Sequence, residues 1–371
     1  MQTLASPFLK TRLAYSMRND KLLIGFLGAD WWGSDARALA SEFRRDGHLL
    51  IERHYEDHFP TRWRSTPLRL LRRCCRGLMS ADYNRAIREM LDVKALDFLL
   101  VFKGMLLEKP TLQAFVDRGV PAYCVYPDVS FVDHGKNIWS CLPLYDCVFT
   151  TKTFHVEDNR VQGAAKRIKL VNHGFDPDVH RPVTLRPDVE SNYAADVSFV
   201  GVHSPKKEAI LASLLQAIPG LRLRIWGSNW EKASGEIQKS WEGRGAYGDE
   251  VAAIYVASKI NLGLLSEAGG GTKEGDRTTA RTWQIPACKA FMLHEDTAEV
   301  RQAFEAGREI GVFGDTNDLI SKVRYFLEHS AEREAIAEQG YRRAQEAPYS
   351  YRSTAQDVLA FHRGQGSAVS K

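Results

Sequence analysis

Apolar residues in this chain gather in short unbroken runs, each followed by a turn and then by residues at helical spacing. The first run, 22–27, leads into Gly28-Ala-Asp-Trp-Trp-Gly33 and then a helix with Leu39 and Phe43 on one face. Runs at 49–51, 97–102, 122–126, 145–150 and 168–171 follow, with helices predicted over 83–91 and 109–118. Such runs suit strands covered on both faces, as in a parallel sheet. Beyond a polar, proline-bearing segment at 183–195 the pattern starts again. Strands are predicted at 196–200, 221–226, 260–265 and 290–293, and helices at 250–258 and 279–287, with another ending near 217. Leu319, Ile320, Val323, Phe326 and Leu327 form one helix face, and a last helix is predicted over 349–362. Strand and helix alternating on both sides of 183–195 predict an α/β protein of two doubly wound Rossmann-like domains. Residues 1–20 read as a lead-in, 21–182 as the first domain, 183–195 as a linker, 196–347 as the second domain, and 348–371 as a final helix and tail.

Composition narrows this little. The chain has 371 residues, enough for two domains, and 44% apolar with 26% charged residues is ordinary for a soluble globular protein. No apolar run is long enough to span a bilayer, and the first twenty residues lack the compact apolar core of a secretion signal. The expected location is the cytoplasm. A net charge of +4 is too mild to imply nucleic acid. None of the six cysteines forms a CxxC pair, so buried reduced thiols are expected, and no metal site. One stretch departs from the average: residues 61–80 carry Arg62, Arg64, Arg69, Arg72, Arg73 and Arg76 and no acid, with Leu68, Leu71 and Cys75 at helical spacing. A basic amphipathic stretch can lie peripherally on the anionic inner face of a membrane or hold an anionic acceptor; a solvated helix face is the other reading.

Candidate chemistry collects at the predicted strand ends, where open α/β sheets bind ligands. Around the 279–287 helix, Gly269, Gly270, Gly271 and Gly275 let the backbone come close to a ligand, and the helix turns its N-terminal amides toward that loop. Arg277, Arg281 and Gln284 follow at turn spacings. Gly201-Val-His-Ser-Pro-Lys-Lys207 reads as a diphosphate cradle, with Lys206 and Lys207 as countercharge. Two lysines in a first helical turn oppose the helix dipole, which favours a functional over a merely exposed role. In the first half, Asp30 follows the first strand, and Asp128, Asp133 and His134 follow the fourth, as acid–base candidates.

The run Arg281-Thr-Trp-Gln-Ile-Pro-Ala-Cys-Lys-Ala-Phe-Met-Leu293, followed by Gly307-Arg-Glu-Ile-Gly-Val-Phe313 and a leucine-bearing helix, resembles the C-terminal domain of CgeB-like glycosyltransferases, within the broad GT-B group. The run 172–182 resembles the junction that ends the N-terminal domain of such enzymes. The resemblance implies two domains facing a cleft, a final helix crossing back to the N-terminal domain, and a nucleotide-sugar donor. In that family an Arg is followed three residues later by a Glu that grips the ribose hydroxyls, then by Ala-Cys-Gly. Gln284 stands at that Glu and Lys289 at that Gly, two departures at informative positions. Asp276 stands where many GT-B enzymes carry a second acid, and the loop at Ala246 and Tyr247 passes over the nucleobase in related enzymes. The resulting expectation is a glycosyltransferase moving a sugar from a UDP-linked donor to a glycan, lipid-linked or protein acceptor. Metal and cofactor are not called for, since no DxD-type motif lies in a suitable loop. Donor contacts are assigned to Gly201, Lys206, Lys207, Trp226, Ala246, Tyr247, Asp276, Arg277, Arg281 and Gln284, and catalysis to Asp30, Asp128 and His134. A nucleotide-sugar epimerase or hydrolase of the same fold, and an inactive nucleotide-sugar-binding protein, remain alternatives.

Overall fold

The computed structural model describes residues 21–59, 70–71, 73–93, 95–269 and 272–369. The lead-in and most of the arginine-rich run at 61–72 lie outside the described residues, as do Gly270 and Gly271. Strands β1 (Leu23–Leu27), β2 (Leu49–Arg53), β3 (Phe98–Phe102), β4 (Ala122–Tyr126), β5 (Cys147–Thr150) and β6 (Ile168–Leu170) form one parallel sheet in the order β2-β1-β3-β4-β5-β6. Strands β7 (Ala195–Val200), β8 (Leu223–Trp226), β9 (Ser258–Gly263), β10 (Met292–Glu295) and β11 (Gly311–Phe313) form a second, in the order β11-β10-β9-β7-β8. All pairings are parallel. β3 and β4 are buried at every position, as apolar runs covered on both faces must be. β2 is an edge strand and only partly buried, which is why its apolar run is short. β11 was not anticipated: three residues are too few to stand out by pattern.

Strand order reverses direction at β1/β3 in the first sheet and at β7/β9 in the second. Loops leaving neighbouring strands diverge at such a switch point and open a crevice at the strands' C-terminal ends. The two sheets therefore each carry one ready-made site.

The segment expected to be a linker contains a helix, Pro187–Tyr193, started by its proline and packed against the helix Asp249–Ala257. The chain crosses between domains twice, and the crossings run side by side. Phe175 donates its N–H to Tyr349 O, and Tyr351 donates back to Phe175 O, both at 3.1 Å. Gly174 is required there, since a Cβ would sit 2.6 Å from Tyr351 N. The last helix, Tyr351–Val369, packs on the helix Asp35–Arg45 of the first domain. It buries Tyr351, Ala355, Val358, Leu359 and Phe361 in one core with Ile24, Phe43, Phe98, Tyr123 and Phe149. Cys124, Cys141, Cys147 and Cys288 are buried free thiols, but Cys74 is exposed and Cys75 half-exposed. No helix among the described residues is long and apolar enough to cross a membrane.

Candidate functional site

At the second switch point, β7 runs out into Gly201, and the helix Pro205–Ala217 begins shortly after, capped by Ser204, whose hydroxyl accepts the Lys207 N–H. Gly201 has no room for a side chain: a Cβ would lie 2.8 Å from Arg281 Nη1. Arg281 spans the switch, donating to Val200 O at 3.1 Å and to Leu264 O at 2.5 Å, with its guanidinium 5.0 Å from the Phe199 ring centre. Its Nε is buried without a partner among the described residues, and burial pulls its pKa below the usual arginine value. Lys207 is only 3% exposed. Its ammonium donates to Ser266 Oγ at 3.1 Å and Val202 O at 3.3 Å, and no carboxylate among the described residues pairs with it. Burial, then the charge of Arg281, bring its pKa down to about 8. Lys206, next in sequence, is instead committed to Glu295, 2.5 Å away.

Gln284 lies one turn along the helix Ala280–Ala287 from Arg281, half-buried, its side chain unpartnered among the described residues. The approach to this helix is tied to the first domain. Asp276 Oδ1 stands 2.5 Å from Lys152 Nζ, with the two side chains 9% and 4% exposed. Lys152 directly follows Thr151 at the end of β5 and also reaches Thr278 O at 3.4 Å. Arg277 bonds Glu299 at 2.8 Å and Thr153 Oγ1 at 3.1 Å, and pairs with Glu274. Arg277, expected as a donor contact, is thus a cross-domain tie whose charge already meets Glu299 and Glu274. Asp276 is likewise paired across the cleft. Trp226 ends β8 but is 0% exposed in the second core, so it meets no ligand; the strand-end position read from sequence was right and the side-chain direction was not. The Ala246 side chain also sits in that core, which leaves only its backbone to face a ligand. Tyr247 is 61% exposed and meets Trp31 of the first domain edge-on, ring centres 5.1 Å apart. Gly33 and Gly248 touch beside them, where a Cβ on Gly33 would lie 2.5 Å from Gly248 N.

In the first domain, Asp128 lies between Lys103 Nζ at 3.0 Å and His134 Nε2 at 3.1 Å. Burial works to raise its pKa, but the Lys103 ammonium and the hydrogen bond with His134 outweigh it and hold the carboxyl well below the usual range. His134 is partly exposed and its Nδ1 has no partner among the described residues. The loop after β4 faces the donor loop, since a Cβ on Gly269 would come within 3.1 Å of Asp133 Oδ2. Asp30 is not brought to this group. Its carboxylate bonds Arg37 at 2.8 Å and clusters with Glu52 and His54, and Arg44 neutralises Glu52. A cavity of about 150 Å³ opens at the C-terminal ends of β1 and β3, walled by Trp31, Tyr55, Tyr83, Lys103 and Met105 among others. Sequence reasoning missed Lys103 and Lys152, although a lysine directly after a buried apolar run was a visible signal for Lys103.

Residues 206–360 match the model of a family described as glycosyl transferase-like. No curated protein sequence matches the chain. Among solved structures, sucrose-phosphate synthase from Thermosynechococcus elongatus superposes with a TM-score of 0.63 at 14% identity, over 94% of this chain and all of that one. Anabaena Alr3699/HepE in complex with UDP and glucose gives 0.57 at 13% identity, over 92% and 100% of the two chains. An α,α-trehalose-phosphate synthase (UDP-forming) from Burkholderia vietnamiensis gives 0.58 at 11%, over 95% and 100%. The two facing parallel sheets, with the final helix crossing back, are the GT-B fold, and the family match over the second domain supports the glycosyltransferase class.

Proposed function

We propose that this protein transfers a sugar from a nucleoside diphosphate donor, UDP-linked, to an acceptor held by the first domain. The observation that carries this is the Lys207–Arg281 pair: a buried lysine and a half-buried arginine at a switch point, with no carboxylate paired to either among the described residues. A buried charge without a counter-ion is costly, and an anion arriving there relieves it. A diphosphate fits, reaching Lys207, the spare Nε of Arg281 and the amides at the start of the helix Pro205–Ala217. Similar structures that hold UDP or form it support the choice of base. Gln284, without a side-chain partner among the described residues and one turn away, would bond ribose hydroxyls.

The chemistry follows from charge. As the glycosidic bond to the diphosphate breaks, negative charge grows on the leaving oxygen, where preorganised cations are most effective. The acceptor hydroxyl forms the new bond to the anomeric carbon and gives its proton to His134 Nδ1, with Asp128 orienting the ring and stabilising its cation. Calorimetric titration with UDP tests the reading. Wild type is expected to bind, and Lys207→Ala to bind at least about tenfold more weakly, as for loss of one charge-assisted bond. No binding of UDP, ADP or GDP, or an unaltered Lys207→Ala, would overturn it.

A further inference from the structure

The cavity at the first switch point differs in chemistry from the donor cradle. Its charged wall residues are already paired, Asp35 with His173 at 3.3 Å and Lys103 with Asp128 at 3.0 Å. Its hydroxyls are engaged too: Ser34 Oγ donates to Ala29 O at 3.1 Å and caps a helix, Tyr83 Oη donates to Arg53 O at 3.4 Å, and Tyr55 Oη accepts from the Trp31 indole. An occupant is left with ring faces and aliphatic carbon, from Trp31, Tyr55, Tyr83, Met105, Leu106 and Leu107. A free saccharide has a hydroxyl on nearly every ring carbon, and most would be desolvated here without partners. A phosphorylated acceptor would find no uncommitted cation. The volume of about 150 Å³ is that of an apolar protein cavity able to hold a benzene ring.

We propose that this cavity is the acceptor subsite and that it takes an aryl alcohol, whose ring packs among Trp31, Tyr55, Tyr83 and Met105 while its hydroxyl faces the Lys103–Asp128–His134 group. This rests on the transferase reading above. The acceptor oxygen bonds to the anomeric carbon, its proton passes to His134, the bond to the diphosphate breaks, and an aryl glycoside and a nucleoside diphosphate leave. Trp31 belongs to the cavity wall and also touches Tyr247 of the second domain, so the acceptor's ring would be enclosed by both domains.

The test uses 4-methylphenol, glucose and glucose 6-phosphate as probes, with binding read by ligand-observed NMR on the full chain with and without saturating UDP. The expected result is binding of 4-methylphenol in preference to both sugars. Met105→Trp, which fills the cavity from a half-buried loop position, should weaken it at least tenfold and leave UDP affinity unchanged. Leu106→Trp fills it from beside and serves if Met105→Trp does not fold. The inference is overturned if 4-methylphenol does not bind, if both fillings leave its binding unchanged, or if either sugar binds better. UDP affinity is measured separately, so failure of UDP to bind counts against the transferase reading and failure of the phenol against the acceptor class.

Discussion

Lys207 and Arg277 show how little a residue type says without its neighbours. Both are cations beside the same cleft, yet one has spent its charge on Glu299 and Glu274 and the other has met only neutral oxygens. Lys207 therefore carries a pH signature. Its folded-state pKa is about 8 against an ordinary 10.5. The native state binds fewer protons than the unfolded chain between those values, so Lys207 makes stability rise with pH across that window. A bound diphosphate favours the charged ammonium and keeps it protonated. UDP affinity should thus be level below pH about 8 and fall by up to about tenfold per pH unit above it. Titrations at increasing pH check this, and Lys207→Arg should flatten the curve. A wild-type affinity unchanged into the alkaline range would place Lys207 away from the phosphates. Gln284 gives a second reading at the same scale. Gln284→Glu adds an ionised acceptor and should keep or improve nucleotide affinity by up to about 1–2 kcal/mol. Gln284→Leu should lose affinity and lose discrimination against 2′-deoxyribose. Equal binding of ribo- and deoxyribonucleotides by wild type and Gln284→Leu would remove Gln284 from the ribose.

Among elements, the contact between the end of β5 and the loop before the helix Ala280–Ala287 stands out. Lys152 and Thr153 meet Asp276, Arg277, Thr278 and Glu299 there, with the Lys152–Asp276 pair almost wholly buried. Lys152→Ala leaves Asp276 without its counter-ion and should cost about 3–5 kcal/mol, read by denaturant unfolding. Lys152→Met with Asp276→Leu should regain most of that loss; if Lys152→Ala is silent, the pair is not buried in solution. No part of this contact was legible from the sequence, because its members are far apart in the chain and join only when the two domains meet. Strands were legible for the opposite reason. Runs such as Phe98–Phe102 carry their burial in their own composition. Arg281 and Gln284 were also legible, since helical spacing placed them on one side of a short helix next to a glycine-bearing loop. Trp226 was misassigned because a strand's end fixes where a residue lies and not which face its ring covers. The cavity was invisible in sequence, being built from four separate stretches that only the switch at β1/β3 gathers.

At the scale of the whole molecule, the two switch points face each other, and Trp31–Tyr247, Gly33–Gly248 and Lys152–Asp276 are among the places where the halves touch. The crossing helix adds a constraint of a different kind, on the order in which the molecule can be made. The first sheet's inner aromatic face, with Phe98, Tyr123 and Phe149, is finished only by Tyr351, Val358, Leu359 and Phe361. During synthesis that face leaves the ribosome well before its cover does. At about 5–20 residues per second, the gap between β6 and residue 351 lasts roughly ten to forty seconds. The second domain carries its own two cores and can close while the first waits. A nascent chain with a half-covered sheet for that long is a natural client for a chaperone that shields apolar surface, and the emergence of residues 351–361 is what releases it.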